Sequence, residues 1–194
     1  MSKQPSRRAQ RQERAQKKRL KSNLVRGGII TLALVAIVYI GWLILRPLVG
    51  EAVPVLASGH VAEGQPLNTP ESDPPTSGDH YDSPLPAKFY LETDLVGLPP
   101  NPDGYLIHNL EHGYIIFWYN CALVEDCDAL KSQIQSVMDE TNGFKLVAFP
   151  RDTLEAPVVM TSWGRKQVFN VFDPDAARTF VKRNLNRSPE PTAP

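Results

Sequence analysis

An uninterrupted apolar segment near the N-terminus constrains the fold of this chain more than any other feature. Residues 27 to 45 form a run of nineteen residues without a charge. A helix rises 1.5 Å per residue, so this run would span about 28 Å, close to the thickness of the hydrocarbon core of a bilayer. The sequence therefore predicts one transmembrane helix over residues 27–45.

A cleaved signal peptide is the competing interpretation, because it also has a basic region before an apolar run. Its apolar core is usually about 7–15 residues long and ends in a small-residue cleavage site. Here the run is longer, and its end from Gly41 to Pro47 contains no such pattern. The segment is therefore predicted to be a retained anchor.

The charges of the chain are segregated on the two sides of this segment. From Met1 to Arg26 ten basic residues and one acidic residue give a net charge of +9, whereas from Glu51 onward ten basic and twenty acidic residues give −10. Lysine and arginine close to a membrane span stay on the cytoplasmic side. This predicts a single-pass protein of the cell membrane with a cytoplasmic tail, residues 1–26, and an extracytoplasmic C-terminal domain.

The basic tail also bears on possible partners. It contains no aromatic residue on which a nucleic-acid base could stack. Attraction to anionic lipid headgroups is the simpler account of its charge. The predicted partner is the lipid bilayer, and no nucleic acid is expected.

The remaining chain is predicted to be one domain with short flanks. Residues 46–58 are assigned as a linker, residues 59–187 as the extracytoplasmic domain and residues 188–194 as a flexible tail. Up to about Pro100 the chain is rich in Pro, Gly, Ser and Asp, which predicts extended segments and turns.

Apolar runs separated by turns predict strands in the second half of the domain. These strands are Tyr105–His108, Tyr114–Tyr119, Phe144–Phe149, Pro157–Trp163 and Gln167–Phe172, and the last two suit a hairpin around Gly164.

Two amphipathic helices are predicted among these strands. One runs from Asp128, as N-cap, to about Glu140, and the other is opened by Asp173 as N-cap with Pro174 at its first position. The order of the elements leaves few parallel crossovers. It predicts an α+β fold, with a mostly antiparallel sheet and two packed helices preceded by one N-terminal transmembrane helix.

The two cysteines, Cys121 and Cys127, lie in the part predicted to be extracytoplasmic. An oxidising compartment and an even count favour a disulfide bond between them. A reactive or metal-binding thiol pair is the alternative, but the CxxC spacing is absent.

All four histidines fall within about fifty residues of each other, which suggests a metal site. Imidazole binds zinc or copper through a neutral ring nitrogen. His80, His108 and His112 are the predicted ligands, and Glu111 and His60 are the predicted outer-shell or alternative ligands. The other interpretation is that these side chains only hydrogen-bond loop backbone.

The pentapeptide His108–His112 also matches the inverted zinc-protease pattern H-x-x-E-H. Such proteases carry this motif on a long helix. Strand-like runs on both sides, and Gly113 directly after it, argue against such a helix here.

Several segments together carry a family resemblance. They are Pro74–Tyr81 (PPTSGDHY), His108–Gly113 (HNLEHG), Tyr114–Cys121 (YIIFWYNC) and Thr161–Arg165 (TSWGR). The chain resembles, from about Gly59 to Glu190, the bacterial family catalogued as domain of unknown function 3105. The resemblance implies an anchored extracytoplasmic domain whose signature segments contain the candidate histidines and Glu111. Family members usually have proline before the first motif histidine, where this chain has Asp79.

The leading hypothesis is a membrane-tethered domain that binds copper or zinc through clustered histidines. An accessory subunit that docks on a larger membrane complex, without metal or catalysis, is the alternative. A hydrolase that uses Glu111 and a metal-bound water is a third possibility, but no catalytic residue is assigned and an enzyme is not favoured.

Overall fold

The computed structural model of the protein describes residues 7–44 and 46–193. The chain divides into two compact units, Met1–Arg46 and Pro47–Pro194. The first six residues of the predicted tail, Leu45 and Pro194 lie outside the described residues.

The first unit is a single helix, α1 (Arg7–Ile44). Within it, Lys21–Trp42 is a stretch of 22 residues with mean hydropathy 2.1, none of it buried. The predicted N-terminal apolar helix is confirmed, and it is long and apolar enough to cross a membrane. A signal sequence would meet the same criteria of length and composition.

The second unit contains a five-stranded sheet of order β1-β5-β4-β2-β3. Its strands are β1 (Glu51–Ala52), β2 (Ile115–Tyr119), β3 (Leu146–Pro150), β4 (Val158–Ser162) and β5 (Arg165–Phe169). Every neighbouring pair is antiparallel except β2 and β3, which are parallel. The α+β class and the mostly antiparallel sheet are therefore confirmed, as is the β4–β5 hairpin, where Gly164 takes a φ of +64°.

Three α-helices accompany the sheet: α2 (Pro102–Glu111), α3 (Cys127–Asp139) and α4 (Pro174–Asn184). There are also two short 3₁₀ helices: Glu92–Gly97 precedes α2, and Cys121–Leu123 lies between β2 and α3. The start of α4 is as predicted, with the Asp173 carboxylate accepting hydrogen bonds from two backbone amides of the first turn. The predicted cap of α3 is wrong by two residues, because Asp126 accepts from the Ala129 amide and Asp128 lies inside the first turn.

The prediction of a strand at Tyr105–His108 is wrong, since these residues belong to α2. Residues 104 to 111 are all buried, so the segment has no polar face from which a helical period could be recognised. A short run that is apolar on all sides cannot be assigned to helix or strand by periodicity. Pro102 at the first turn of α2 was the available start signal. Gly113, with a φ of +86°, follows the end of the helix.

Strand β2 lies between two hydrophobic clusters, as its uniformly apolar sequence predicts. Ile115 and Phe117 pack in one cluster with side chains of α3 and α4. Ile116 and Trp118 pack in the other with Leu106 of α2 and with residues of the preceding irregular segment. Side chains alternate across a strand, so one strand supplies both cores.

The first and last parts of this unit are joined by one side chain. The amide of Asn184, at the end of α4, accepts a hydrogen bond of 3.0 Å from the Val49 backbone N–H and donates one of 2.9 Å to the Val49 carbonyl oxygen. Asn184 is buried. The segment that enters the domain is thus fixed to its final helix.

Candidate metal centre

Helix α2 brings two of the candidate side chains together. His108 and Glu111 are three residues apart, which places them on neighbouring positions of one helical surface. Both residues are buried although both are polar. Buried polar groups require a partner, so the arrangement around them decides what this site can do.

The irregular segment before α2 packs on the helix through a glycine. A Cβ atom added to Gly104 would lie 2.5 Å from the ring of Tyr81. Because glycine has no side chain, Tyr81 lies directly on the helix, and its backbone N–H donates to the Gly104 carbonyl oxygen across 3.2 Å. The preceding residue, His80, is thereby held next to His108.

His60 is positioned by pairing with His80. The two residues form an isolated parallel bridge. In this bridge the His80 N–H donates to the Gly59 carbonyl oxygen at 3.1 Å, and the Val61 N–H donates to the His80 carbonyl oxygen at 2.9 Å.

The three rings and the carboxylate converge. Ring centroids are 4.6 Å apart for His60 and His80, and 5.2 Å apart for each of the other two pairs formed with His108. One donor atom from each of His60, His80, His108 and Glu111 can be chosen such that all four lie within 4.8 Å of one another. Three imidazole nitrogens and one carboxylate oxygen are a ligand set suited to zinc or copper.

The orientation of two rings is set by backbone carbonyl groups. The Nδ1 atom of His108 lies 2.6 Å from the Tyr81 carbonyl oxygen, and that of His80 lies 3.0 Å from the Gly78 carbonyl oxygen. A carbonyl oxygen only accepts hydrogen bonds, so Nδ1 carries the proton in both rings. In the neutral tautomer the Nε2 lone pair is then free for a metal, which is the usual arrangement of metal-bound histidines.

His80 and Glu111 face each other inside the cluster. The His80 Nε2 and Glu111 Oε2 atoms are 2.8 Å apart. They are not aligned for a hydrogen bond, and each is a buried atom without a hydrogen-bond partner among the described residues. A lone pair and a carboxylate oxygen at this distance repel each other unless a cation, either a proton or a metal ion, lies between them.

The protonation of His108 is biased towards the neutral form. Burial lowers the pKa of this ring below its ordinary value of 6.5, the neighbouring histidines lower it further, and the hydrogen bond to Tyr81 opposes the change. A metal competes with protons for the ring nitrogen. The lowered pKa of His108 therefore keeps the ring ready for a metal at neutral pH.

His112 occupies a different position from the one predicted. Its ring lies 4.3 Å from the ring of His108, but it is not a member of the converging group. Instead its Nε2 atom lies 3.7 Å from a carboxylate oxygen of Glu190. The structure thus brings together His80 and His108 with Glu111 and His60, and places His112 beside them as a neighbour.

The first four residues of the H-x-x-E-H pattern lie in α2, although strands were predicted on both sides of it and a long helix was not expected. The zinc-protease arrangement nevertheless differs from this one, because both histidines of that motif bind the metal. Here Glu111 faces His80, and His112 follows the last residue of α2 as its C-cap.

Two residues near the cluster were not singled out in the sequence. Lys145 is buried, and its Nζ atom donates to the carbonyl oxygens of His112, Pro191 and Ala193 at 2.9, 3.0 and 2.6 Å. The backbone N–H of Glu190 donates to the Glu111 carbonyl oxygen at 3.1 Å. Residues 188–193, for which the sequence predicts a flexible tail, therefore bond to the end of α2. In the sequence, a lysine within the otherwise apolar run from Phe144 to Phe149 was the feature that could have indicated these buried contacts.

The two cysteines lie apart from this site and form a disulfide bond with a Cα–Cα distance of 5.2 Å. They join the start of the segment after β2 to the first residue of α3. The two sulfur atoms are within bonding distance of each other.

Comparisons with known proteins add a family but no activity. A family model described as "Protein of unknown function (DUF3105)" matches residues 60–194. The match includes all four histidines and Glu111. No curated protein and no solved structure matches the chain.

Proposed function

This chain belongs to the DUF3105 family, and we propose that it is a membrane-tethered domain that binds one zinc or copper ion through His60, His80, His108 and Glu111. The proposal includes the topology, with helix α1 crossing the bilayer, the basic tail in the cytoplasm and the metal site outside. The charge asymmetry of the chain supports that orientation.

The observation that carries the metal proposal is the contact between His80 and Glu111. Two buried polar atoms lie 2.8 Å apart without a hydrogen bond, and leaving such groups unsatisfied costs about 1–3 kcal/mol each. A divalent ion between them would satisfy both atoms. It would also use the Nε2 lone pair of His108, whose Nδ1 atom is already bonded to the Tyr81 carbonyl oxygen.

A proton between His80 and Glu111 is the competing account of this contact. It would form an ion pair of one histidine with one carboxylate, which needs neither His60 nor the lone pair of His108. The convergence of four donor atoms within 4.8 Å favours the metal.

The test measures metal content and affinity for the full chain purified in detergent. We expect about one zinc or copper ion per chain by elemental analysis. His80→Ala and His108→Ala should lower the affinity at least a hundredfold, since each removes a ligand. His112→Ala is the matched control: it removes a neighbouring ring on the same helix end, and it should keep the ion. Unchanged affinity in both ligand variants would refute the metal proposal and leave the shared proton.

A second function, docking on a larger membrane complex, is favoured by one exposed apolar turn. Val96, in the 3₁₀ helix Glu92–Gly97, is 92% exposed, and Leu91 and Leu95 beside it are also exposed. Photo-crosslinking from position 96 in native membranes should give a discrete adduct if this turn binds a partner. Buried positions of the sheet serve as the negative control and should give no adduct. Absence of an adduct from position 96 as well would argue against docking at this turn.

A further inference from the structure

The four donor side chains of the proposed site differ in how far they are enclosed. His80, His108 and Glu111 are buried, with 1%, 5% and 8% of their surfaces exposed, whereas His60 is exposed. Another molecule can reach an exposed side chain directly, but it reaches a buried one only if the fold opens. The proposed site is therefore accessible to other molecules on the side of His60.

The four side chains also differ in how firmly they are held. The rings of His80 and His108 are each fixed by an Nδ1 hydrogen bond to a backbone carbonyl, and Glu111 is carried by the buried helix α2. The ring of His60 contacts two other histidine rings at 4.6 and 5.2 Å. Among residues 46–193, no hydrogen bond to the His60 ring is found.

The backbone of His60 is fixed by hydrogen bonds, whereas its side chain can rotate. The hydrogen bonds made by Gly59 and Val61 to His80 fix the main chain on both sides of it. Apart from its own chain neighbours, a Cβ atom placed on Gly59 would have no atom within 4 Å, so the space beside this segment is open. Exposed side chains change rotamer within picoseconds to nanoseconds, and a simple rotation would carry the His60 ring away from the cluster.

We propose, on the basis of the metal site proposed above, that His60 is the exchangeable ligand through which the ion enters and leaves. His80, His108 and Glu111 keep their places during the exchange. The step is a series of ligand substitutions: the bond from the ion to the His60 ring nitrogen breaks first as a bond to an incoming imidazole nitrogen forms. Further incoming ligands then replace the bonds to Glu111, His80 and His108 in turn, and no electron is transferred. The domain then carries its ion and passes it on, and the ion is not a permanent structural part of the fold.

The experiment follows release of zinc from the full chain in detergent. The zinc-loaded protein is mixed with an excess of a chromogenic chelator, and the rate of colour formation is measured by stopped flow. His60→Ala should still load one ion but release it at least tenfold faster than the wild type. Added imidazole should occupy the vacated position and slow the release again. Glu71→Gln, which changes an exposed residue of the same irregular segment, should release zinc at the wild-type rate.

Two outcomes would overturn the proposal. If His60→Ala loads no zinc, as expected for His80→Ala, then His60 is a required ligand rather than an exchangeable one. If His60→Ala loads zinc and releases it at the wild-type rate, then His60 does not bind the ion. Because His60 is exposed, its replacement should not prevent folding, and thermal unfolding of the metal-free variant checks this. A wild-type chain that loads no zinc or copper would instead refute the proposed function itself.

Discussion

The Nδ1 atom of His108 donates a hydrogen bond of 2.6 Å to the carbonyl oxygen of Tyr81, and this contact links the two halves of the candidate metal centre. Tyr81 lies directly after His80 in the irregular segment, whereas His108 belongs to α2. The bond sets the direction of the His108 ring, and the packing of Tyr81 on Gly104 sets the position of the bond. The geometry of the site therefore depends on the close approach of this segment to the helix.

We predict that Gly104→Ala destabilises the domain and weakens metal binding. The new Cβ atom would lie 2.5 Å from the Tyr81 ring, so the ring must move, and overpacking of this kind costs about 1–3 kcal/mol. The loss should exceed the gain in helix propensity from replacing glycine, about 0.5–1 kcal/mol. Chemical denaturation of the full chain in detergent measures the change. Gly97→Ala is the control, since nothing lies within 4 Å of its added Cβ, and equal stability of the two variants would contradict the prediction.

We predict that the metal-free domain loses stability as the pH falls below about 6.5. Burial holds the pKa of His108 below its ordinary value of 6.5, so in this range the unfolded chain binds more protons than the folded one. The free energy of unfolding then rises with pH and is lost as the pH falls through the folded pKa of His108. Denaturation midpoints between pH 5 and pH 8 measure the effect, and His108→Asn should flatten the curve. A wild-type curve that is already flat across this range would argue against the prediction.

Reduction of the disulfide between Cys121 and Cys127 should destabilise the domain by about 2 kcal/mol, the loss expected from the unfolded-state entropy of a loop this short. Cys121→Ser with Cys127→Ser should have the same effect as reductant. Unfolding midpoints with and without reductant measure it, and the double variant, which reductant cannot change further, is the control. Labelling of both thiols in the folded protein without reductant would show that the bond is absent.

The proposed topology predicts an asymmetric digestion pattern. Protease added outside intact cells should remove the domain beyond Gly50, while residues 1–26 stay protected by the membrane. Epitope tags at the two ends followed by immunoblotting distinguish the fragments, and permeabilised cells are the control in which both tags are lost. Digestion of the N-terminal tag alone in intact cells would reverse the proposed orientation.

Much of the fold could be predicted because its elements have clear local signals. Asp173 followed by Pro174 opens α4, and Gly164 separates β4 from β5. The run Tyr105–His108 lacked such a signal, since burial on all sides removes the periodicity that separates helix from strand. The parallel pairing of β2 with β3 was also not predicted, because it depends on how α3 crosses the sheet rather than on either strand.

The candidate site could be predicted only as a group of residues. Clustering of histidines along the chain pointed to His80 and His108, and the structure brings these two together. The choice between His60 and His112 as the third histidine could not be made from spacing. It depends on the backbone pairing of His60 with His80, which joins residues twenty positions apart, and on the position of His112 beyond the last turn of α2.

The bonds between Asn184 and Val49 give this domain a definite mechanical entry point. Tension applied along the chain before Val49 would act on the two hydrogen bonds that join Val49 to the buried Asn184 amide at the end of α4, one accepted and one donated by that amide. Both bonds would have to break before the load passes to the short strand β1 and from there to the sheet. Because one amide makes both bonds, loss of the Asn184 side chain should lower the force needed to detach this end of the domain.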